Sequence, residues 1–201
     1  MALADRDYKL TEDAYLAGEE LADMKHELID GVAYAMVGAS RNHNAIASNC
    51  AGELRNHLKG RPCQAFQSDF KVKVGHDFFY PDVVVLCDQD SESHDYYTES
   101  PLLIIEVLSP STRRRDEITK LRAYQTLPSL QEYVLVSQDV VKVEVFKRQN
   151  NLWTAAIYGL GDEIHFSSVD LSLTVEEIYE RVDNEEMQIY LRELEEAQKE
   201  S

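Results

Sequence analysis

Hydrophobic and polar positions change period several times along the chain, and each change predicts an element. Residues 12–21 read as a short helix, with Thr11 as its N-cap and acids in the first turn, where the positive end of the helix dipole favours them. Between residues 26 and 36, two short apolar segments flank Asp30-Gly31, a two-residue turn signal, and predict a small hairpin. Ile46, Cys50, Leu54 and Leu58 recur every four residues, as one helix face requires. That helix spans 41–59, capped by Ser40 and ended by Gly60 and Pro62. Strands follow at 63–66, 70–74 and 80–87. Phe70 to Val74 alternates with period two, which predicts a wet face carrying Lys71 and Lys73. Val83 to Leu86 is unbroken and predicts burial on both faces.

Residues 88–100 are acidic and polar, a surface loop, and 102–108 form another buried strand. Ser109-Pro110-Ser111-Thr112 breaks that strand and caps a helix running to about residue 127, with Ile118, Leu121 and Tyr124 or Gln125 as its apolar face. Pro128 stops it. Strands at 132–136, 141–147 and 152–158 come next, then a turn region leading to Thr174. Thr174 caps a helix that docks through Val175, Ile178 and Val182. This mixed order predicts an α/β (α+β) fold. No composition shift marks a second domain. Residues 1–182 read as one domain and 183–201 as an acidic helical tail. Met187, Leu191 and Leu194 in the tail suit either a solvated helix or a partner surface.

Composition narrows the class. With 201 residues, 44% apolar and 28% charged, the chain can bury a core without staples. The longest apolar run, Val83 to Cys87, falls far short of the ~18 residues of a membrane span. Residues 1–7 carry two acids and no apolar stretch, so no secretory signal is expected and the cytoplasm is the plain location. Three cysteines at wide spacing (Cys50, Cys63, Cys87) predict reduced thiols, neither a disulfide framework nor a zinc cluster. The net charge of −17 argues against a general nucleic-acid binder. The charge is uneven, with ten acids and three bases in residues 176–201, so a local basic cluster remains compatible with it.

The informative residue is Glu106, set inside Leu102 to Leu108 with apolar neighbours on both sides. An ionised carboxylate left unpaired there costs several kcal/mol or more, so it needs a cation, a metal or a basic side chain. Asp82 opens the other buried run, and two buried strands lying side by side bring their acids to one sheet edge. Two such oxygen donors suit Mg²⁺, with Mn²⁺ as a substitute, and a metal held this way polarises a phosphoryl oxygen. Taken singly, Asp82 also reads as a solvent-facing acid and Glu106 as half of a buried ion pair.

Pro81-Asp82, a gap of 23 residues and then Glu106-Val107-Leu108 resembles the PD-(D/E)XK nuclease signature. Further blocks lie in register with it: Glu27-Leu28-Ile29-Asp30-Gly31, then Ile105 through Thr112, then Asp116, Lys120 and Tyr124, then Glu132-Tyr133. Together they resemble the Uma family, a restriction-endonuclease-like family of bacteria, over roughly residues 8–180. The resemblance implies a restriction-endonuclease-like core, a central mixed β-sheet flanked by helices, and a metal-dependent endonuclease site acting on DNA. Asp82 and Glu106 would be the metal ligands, with the Val107 carbonyl as a third and Glu27 as an added acid nearby. The signature's lysine is replaced by Leu108, and Lys120 on the following helix would take over. By spacing alone Lys120 reads as a surface partner of Asp116, its neighbour four residues back.

Arg113, Arg114 and Arg115 stand at a helix N-terminus, where cations oppose the dipole, which suggests contact with substrate phosphates. A solvated basic turn is the plainer alternative. Lys71 and Lys73 would extend such a groove. His43 opens the second helix, a position where the family often carries a histidine, and is left outside the catalytic set. Two function classes stay open: a Mg²⁺-dependent endonuclease, with a homodimer possible, and a catalytically silent nuclease-fold module for binding or assembly. A hydrolase of small phosphates ranks below both, since no Walker-type loop is present.

Overall fold

The computed structural model describes residues 9–87, 94–150 and 152–199. The expected loop at 88–100 lies partly outside the described residues, as do residues 1–7 and the last two of the tail. Helix α1 (Glu12–Glu19) is capped by the Thr11 hydroxyl, which accepts from the Ala14 amide. Strands β1 (His26–Ile29) and β2 (Val32–Ala35) form the expected hairpin, with Asp30 and Gly31 both at positive φ in its turn. Helix α2 (Arg41–Leu58) follows, with Ser40 accepting from the His43 amide at 3.1 Å.

The centre is a six-stranded mixed sheet in the order β11-β10-β9-β8-β6-β3. It comprises β3 (Cys63–Gln67), β6 (Val83–Cys87), β8 (Leu103–Leu108), β9 (Glu132–Ser137), β10 (Val143–Gln149) and β11 (Leu152–Tyr158). Among the described residues of this sheet, β8 and β9 are the one parallel pair; their joining segment carries the helical turns that cover the sheet. Residues of β8 and β9 are buried throughout, as an inner pair covered on both faces must be.

On one face, α2 and α4 (Val175–Ile178) pack over Val83, Val85, Ile105 and Val107. On the other, Val84, Ile104 and Leu108 meet Tyr124, Leu127 and Tyr133. Beyond them lies a second sheet, β2-β1-β5-β4-β7, built also from β4 (Lys71–Val74), β5 (Asp77–Phe79) and β7 (Tyr97–Thr98). Strands β12 (Glu163–Phe166) and β13 (Leu171–Thr174) make a hairpin where only a turn region is expected. In α5 (Glu185–Lys199), Met187 is buried and Tyr190 packs on the core, while Leu191 and Leu194 are exposed.

Three expectations need correction. Cys63 and Cys87 stand directly opposite each other in the β3–β6 register and form a disulfide, so the thiols are not all free; Cys50 is buried and unpaired. Lys71 does not face water. It is buried, and its ammonium donates to the Tyr80 hydroxyl at 3.2 Å and sits beneath the Tyr80 and Tyr96 rings. Lys73 is taken by Glu12 at 3.0 Å and Glu99 at 3.3 Å, so neither lysine extends a groove. Finally, the helix after β8 is not uniform. Residues Arg115–Lys120 form a π-helical turn leading into α3 (Leu121–Tyr124), and Ile118, expected in the core, is 41% exposed.

Candidate active site

Glu106 shares the face of Ile104 and Leu108, since side chains alternate along a strand. That face looks toward Tyr124 and the second sheet. The β6–β8 register pairs Val83 with Ile105; one step further, Asp82 stands opposite Glu106. Asp82 is anchored there by the Val107 amide, which donates to its Oδ2 at 2.7 Å. Glu27 enters from β1 of the second sheet, and the Tyr80 amide donates to its Oε1 at 3.2 Å.

The π-helical turn supplies the cation. Asp116, Lys120 and Tyr124 lie in one row at intervals of four, and this row is the buried one. Ile118, on the opposite side, is therefore turned outward. Such turns occur often at functional positions, where an extra residue re-aims side chains. The Lys120 ammonium reaches Glu27 at 2.9 Å, Glu106 at 3.0 Å and Asp116 at 3.2 Å. Each of these four residues is 4% exposed or less. The Tyr124 hydroxyl donates to the same Glu106 oxygen at 3.3 Å. Of the four residues predicted as a site, Glu27, Glu106 and Lys120 thus meet directly, and Asp82 stands beside them, bonded to the Val107 amide and His43.

Charge does not balance in this pocket. Burial raises the Glu106 carboxyl well above the usual carboxylate range; Lys120 pulls it down, while Asp116, Asp82 and Glu27 push it further up. Asp116 is raised too, again chiefly by burial. Burial opposes the charge on Lys120, yet Glu106, Glu27 and Asp116 outweigh it and hold the ammonium well above the usual lysine range.

The sequence pattern leaves His43 outside the catalytic set and gives Asp116 only as a helix-face neighbour of Lys120, and the fold brings both to the pocket. His43 Nε2 lies 3.3 Å from Asp82 Oδ2, and its buried Nδ1 has no hydrogen-bond partner. Burial lowers its pKa, but Asp82, joined by Asp116 and the Val107 backbone, outweighs this, so the ring is raised above its ordinary value. Of the three arginines, only Arg115 reaches the site. It bonds Glu27 Oε2 at 3.3 Å and lies over the Tyr34 ring at 4.6 Å. Arg113 turns toward Glu117, Ser137 and Asp139, and Arg114 is exposed.

No three acid, histidine or cysteine side chains among the described residues are already arranged to hold a metal ion. The donor chemistry nevertheless fits a hard cation. Asp82 and Glu106 offer carboxylate oxygens, and the pocket's acids outnumber its nearby cations. Asp116 Oδ1 is buried without a hydrogen bond.

The fold is a mixed α+β one, with central mixed sheets flanked by helices, and it is shared with a solved structure. It matches the crystal structure of "a putative nuclease belonging to DUF820" from Anabaena variabilis ATCC 29413 with a TM-score of 0.70, covering 85% of this chain and 97% of that one at 20% identity. The profile of the Uma2 family, "Putative restriction endonuclease", matches residues 12–176, and the chain belongs to that family. Two proteins of Synechocystis sp. (strain ATCC 27184 / PCC 6803 / Kazusa) are similar in sequence. The uncharacterized protein slr1290 is 37% identical over 174 residues, 85% of this chain and 92% of its own. The uncharacterized protein sll1609 is 34% identical over 164 residues, 79% of this chain and 93% of its own. No helix among the described residues is long and apolar enough to cross a membrane.

Proposed function

We propose that the chain is a divalent-metal-dependent endonuclease that hydrolyses DNA phosphodiester bonds. The observation carrying this reading is the meeting of Glu27, Glu106 and Lys120, with the lysine 2.9 and 3.0 Å from the two glutamates and Asp82 held beside them by the Val107 amide. Asp82 and Glu106 would hold the ion, Mg²⁺ or Mn²⁺, which when bound polarises a phosphoryl oxygen and acidifies water. The remaining work falls to the chain's own groups. Lys120 stays protonated among its three acids, so it stabilises negative charge on the phosphoryl group and is a poor proton acceptor. Asp82 is fixed by the Val107 amide and faced by His43, which orients its free oxygen. Arg115, which bonds Glu27 at 3.3 Å, would be the arginine of its run to meet a phosphate at this pocket.

A second reading, a silent module of nuclease fold, draws on the net charge of −17, which repels duplex DNA, and on the Lys120 ion pairs already present. Cleavage separates the two. Purified chain with Mn²⁺ is expected to cut supercoiled DNA, and Asp82→Asn or Glu106→Gln to reduce the rate by at least about 10²-fold. Equal cutting by Glu106→Gln would place the activity elsewhere. No cutting by the wild type across metals and DNA forms would favour the silent module.

A further inference from the structure

Strand β11 ends one side of the six-stranded sheet, and among the described residues no strand pairs with its outer edge. Its seven residues, Leu152–Tyr158, hold no charge and no proline, in a chain that is 28% charged. It pairs with β10 residue for residue, without a bulge, and five of its seven residues are exposed. Edge strands that stay unpaired are ordinarily guarded by a charge, a proline, a bulge or a covering element. β11 has none of these, and Leu152 and Ile157 are 71% and 64% exposed. The net charge of −17 opposes self-association in general, yet residues 141–158 hold three bases and one acid. Those charges are already engaged within the chain. Lys142 pairs with Glu144 at 3.0 Å, Lys147 with Glu132 at 3.3 Å, and Arg148 lies over the Trp153 ring.

We propose that β11 pairs antiparallel with β11 of a second copy of the chain, across a two-fold axis through Ala155, so that two six-stranded sheets become one continuous sheet. The order of side-chain sizes selects this partner. Large residues stand at both ends of the strand (Leu152 and Trp153, Ile157 and Tyr158) and small ones in the middle (Thr154, Ala155, Ala156). Reversed about Ala155, the pattern matches itself. Alternation puts Trp153, Ala155 and Ile157 on one face and Leu152, Thr154, Ala156 and Tyr158 on the other. On each face one large residue is anchored and one is bare. Trp153 packs against the Tyr124–Tyr133 cluster, and Tyr158 against the core beneath α2. The two-fold pairing sets Ile157 of each copy opposite Trp153 of the other, and Leu152 opposite Tyr158. Aromatic and branched pairs of this kind are the stabilising unit between strands. An isologous pairing of one edge also closes on itself, since neither β11 remains free. This inference stands apart from the nuclease reading and needs no metal or DNA.

Sedimentation equilibrium of the full chain tests the pairing, with oxidative cross-linking as a second readout. The wild type is expected at twice its 23.0 kDa chain mass. Ile157→Lys and Ala155→Lys change exposed side chains and should leave the chain folded by circular dichroism. Each should weaken the dimer at least about tenfold, because the axis repeats the lost contact or places the two lysines opposite each other. For the register, Ala155→Cys should form a disulfide-linked dimer under mild oxidation, since residue 155 faces its own copy. Leu152→Cys should not, and neither should the wild type, whose Cys50 is buried and whose other two cysteines are bonded to each other. A wild type that stays at 23.0 kDa up to about 0.1 mM overturns the proposal. So does a dimer that both lysine variants leave intact, a particle larger than a dimer, or cross-linking through Leu152→Cys in place of Ala155→Cys.

Discussion

Two buried glutamates sit on the neighbouring parallel strands β8 and β9, and the chain treats them in opposite ways. Glu132, 1% exposed, has fixed partners for its negative charge. The Ser167 and Ser168 amides donate to its two oxygens at 3.2 and 3.0 Å, both serine hydroxyls bond it as well, and Lys147 lies 3.3 Å away. Glu106, 3% exposed, has one lysine shared with two other acids and one tyrosine hydroxyl. Both are carboxylates in strands, yet only the second is left short of positive charge. Fixed amides and hydroxyls directed at one carboxylate make a structural anchor that ties the β12–β13 connection to the sheet. A carboxylate crowded by other acids stores an unmet demand for a cation, and a binding site needs that demand.

The sharpest way to break this comparison is to neutralise each residue and follow cutting of DNA. Glu106→Gln and Asp82→Asn should remove activity, and Glu132→Gln should leave the rate per folded molecule within about threefold, below the tenfold that 1.4 kcal/mol represents. Comparable losses from all three would erase the distinction. Stability should rank the other way. Glu132→Ala strips the partner from a set of buried donors and should cost about 3 kcal/mol in urea unfolding. Glu106→Gln at neutral pH should change stability by no more than about 1 kcal/mol, because it relieves acid crowding as it loses one ion pair.

Acidity sharpens the contrast further. The raised carboxyl of Glu106 keeps a proton in the folded chain that the unfolded chain releases near 4.5. From there upward to the folded value, the native state binds more protons, so stability should fall as pH rises. Denaturation midpoints measured across pH 4.5 to 8 should show this slope in the wild type and a flatter one in Glu106→Gln; unchanged slopes would contradict the crowding. The smallest expected effect belongs to Tyr124→Phe, which deletes one donor to Glu106 and should cost about 1 kcal/mol by thermal or urea unfolding.

Much of the sheet is legible in the sequence because its strands are either unbroken apolar runs or cleanly punctuated ones. Val83 to Leu86 and Leu102 to Leu108 read as inner strands, and Glu106 stands out because an acid there contradicts its surroundings. What escapes the pattern depends on neighbours distant in sequence. Lys71 alternates as a wet-face residue should, but Tyr80 and Tyr96 cover it. Cys63 and Cys87 meet only through the β3–β6 register, which spacing alone does not set. The β12–β13 hairpin does alternate in Glu-Ile-His-Phe, but over four residues, too short a run to stand apart from a turn. Asp116 carries the spacing of a surface pair with Lys120. The row holding both faces inward because Tyr124 must pack with Phe79 and Tyr133. His43 reaches Asp82 because α2 begins at that end of the sheet, a matter of topology and not of local pattern.

The central claim is that Asp82 and Glu106 together create a place for one divalent cation. Calorimetric titration of Mn²⁺ into the wild type, Asp82→Asn and Glu106→Gln tests it without reference to any substrate. The account predicts saturable binding of one ion in the wild type and its loss in both variants. Undiminished binding in either variant, or none in the wild type at millimolar Mn²⁺, would contradict it.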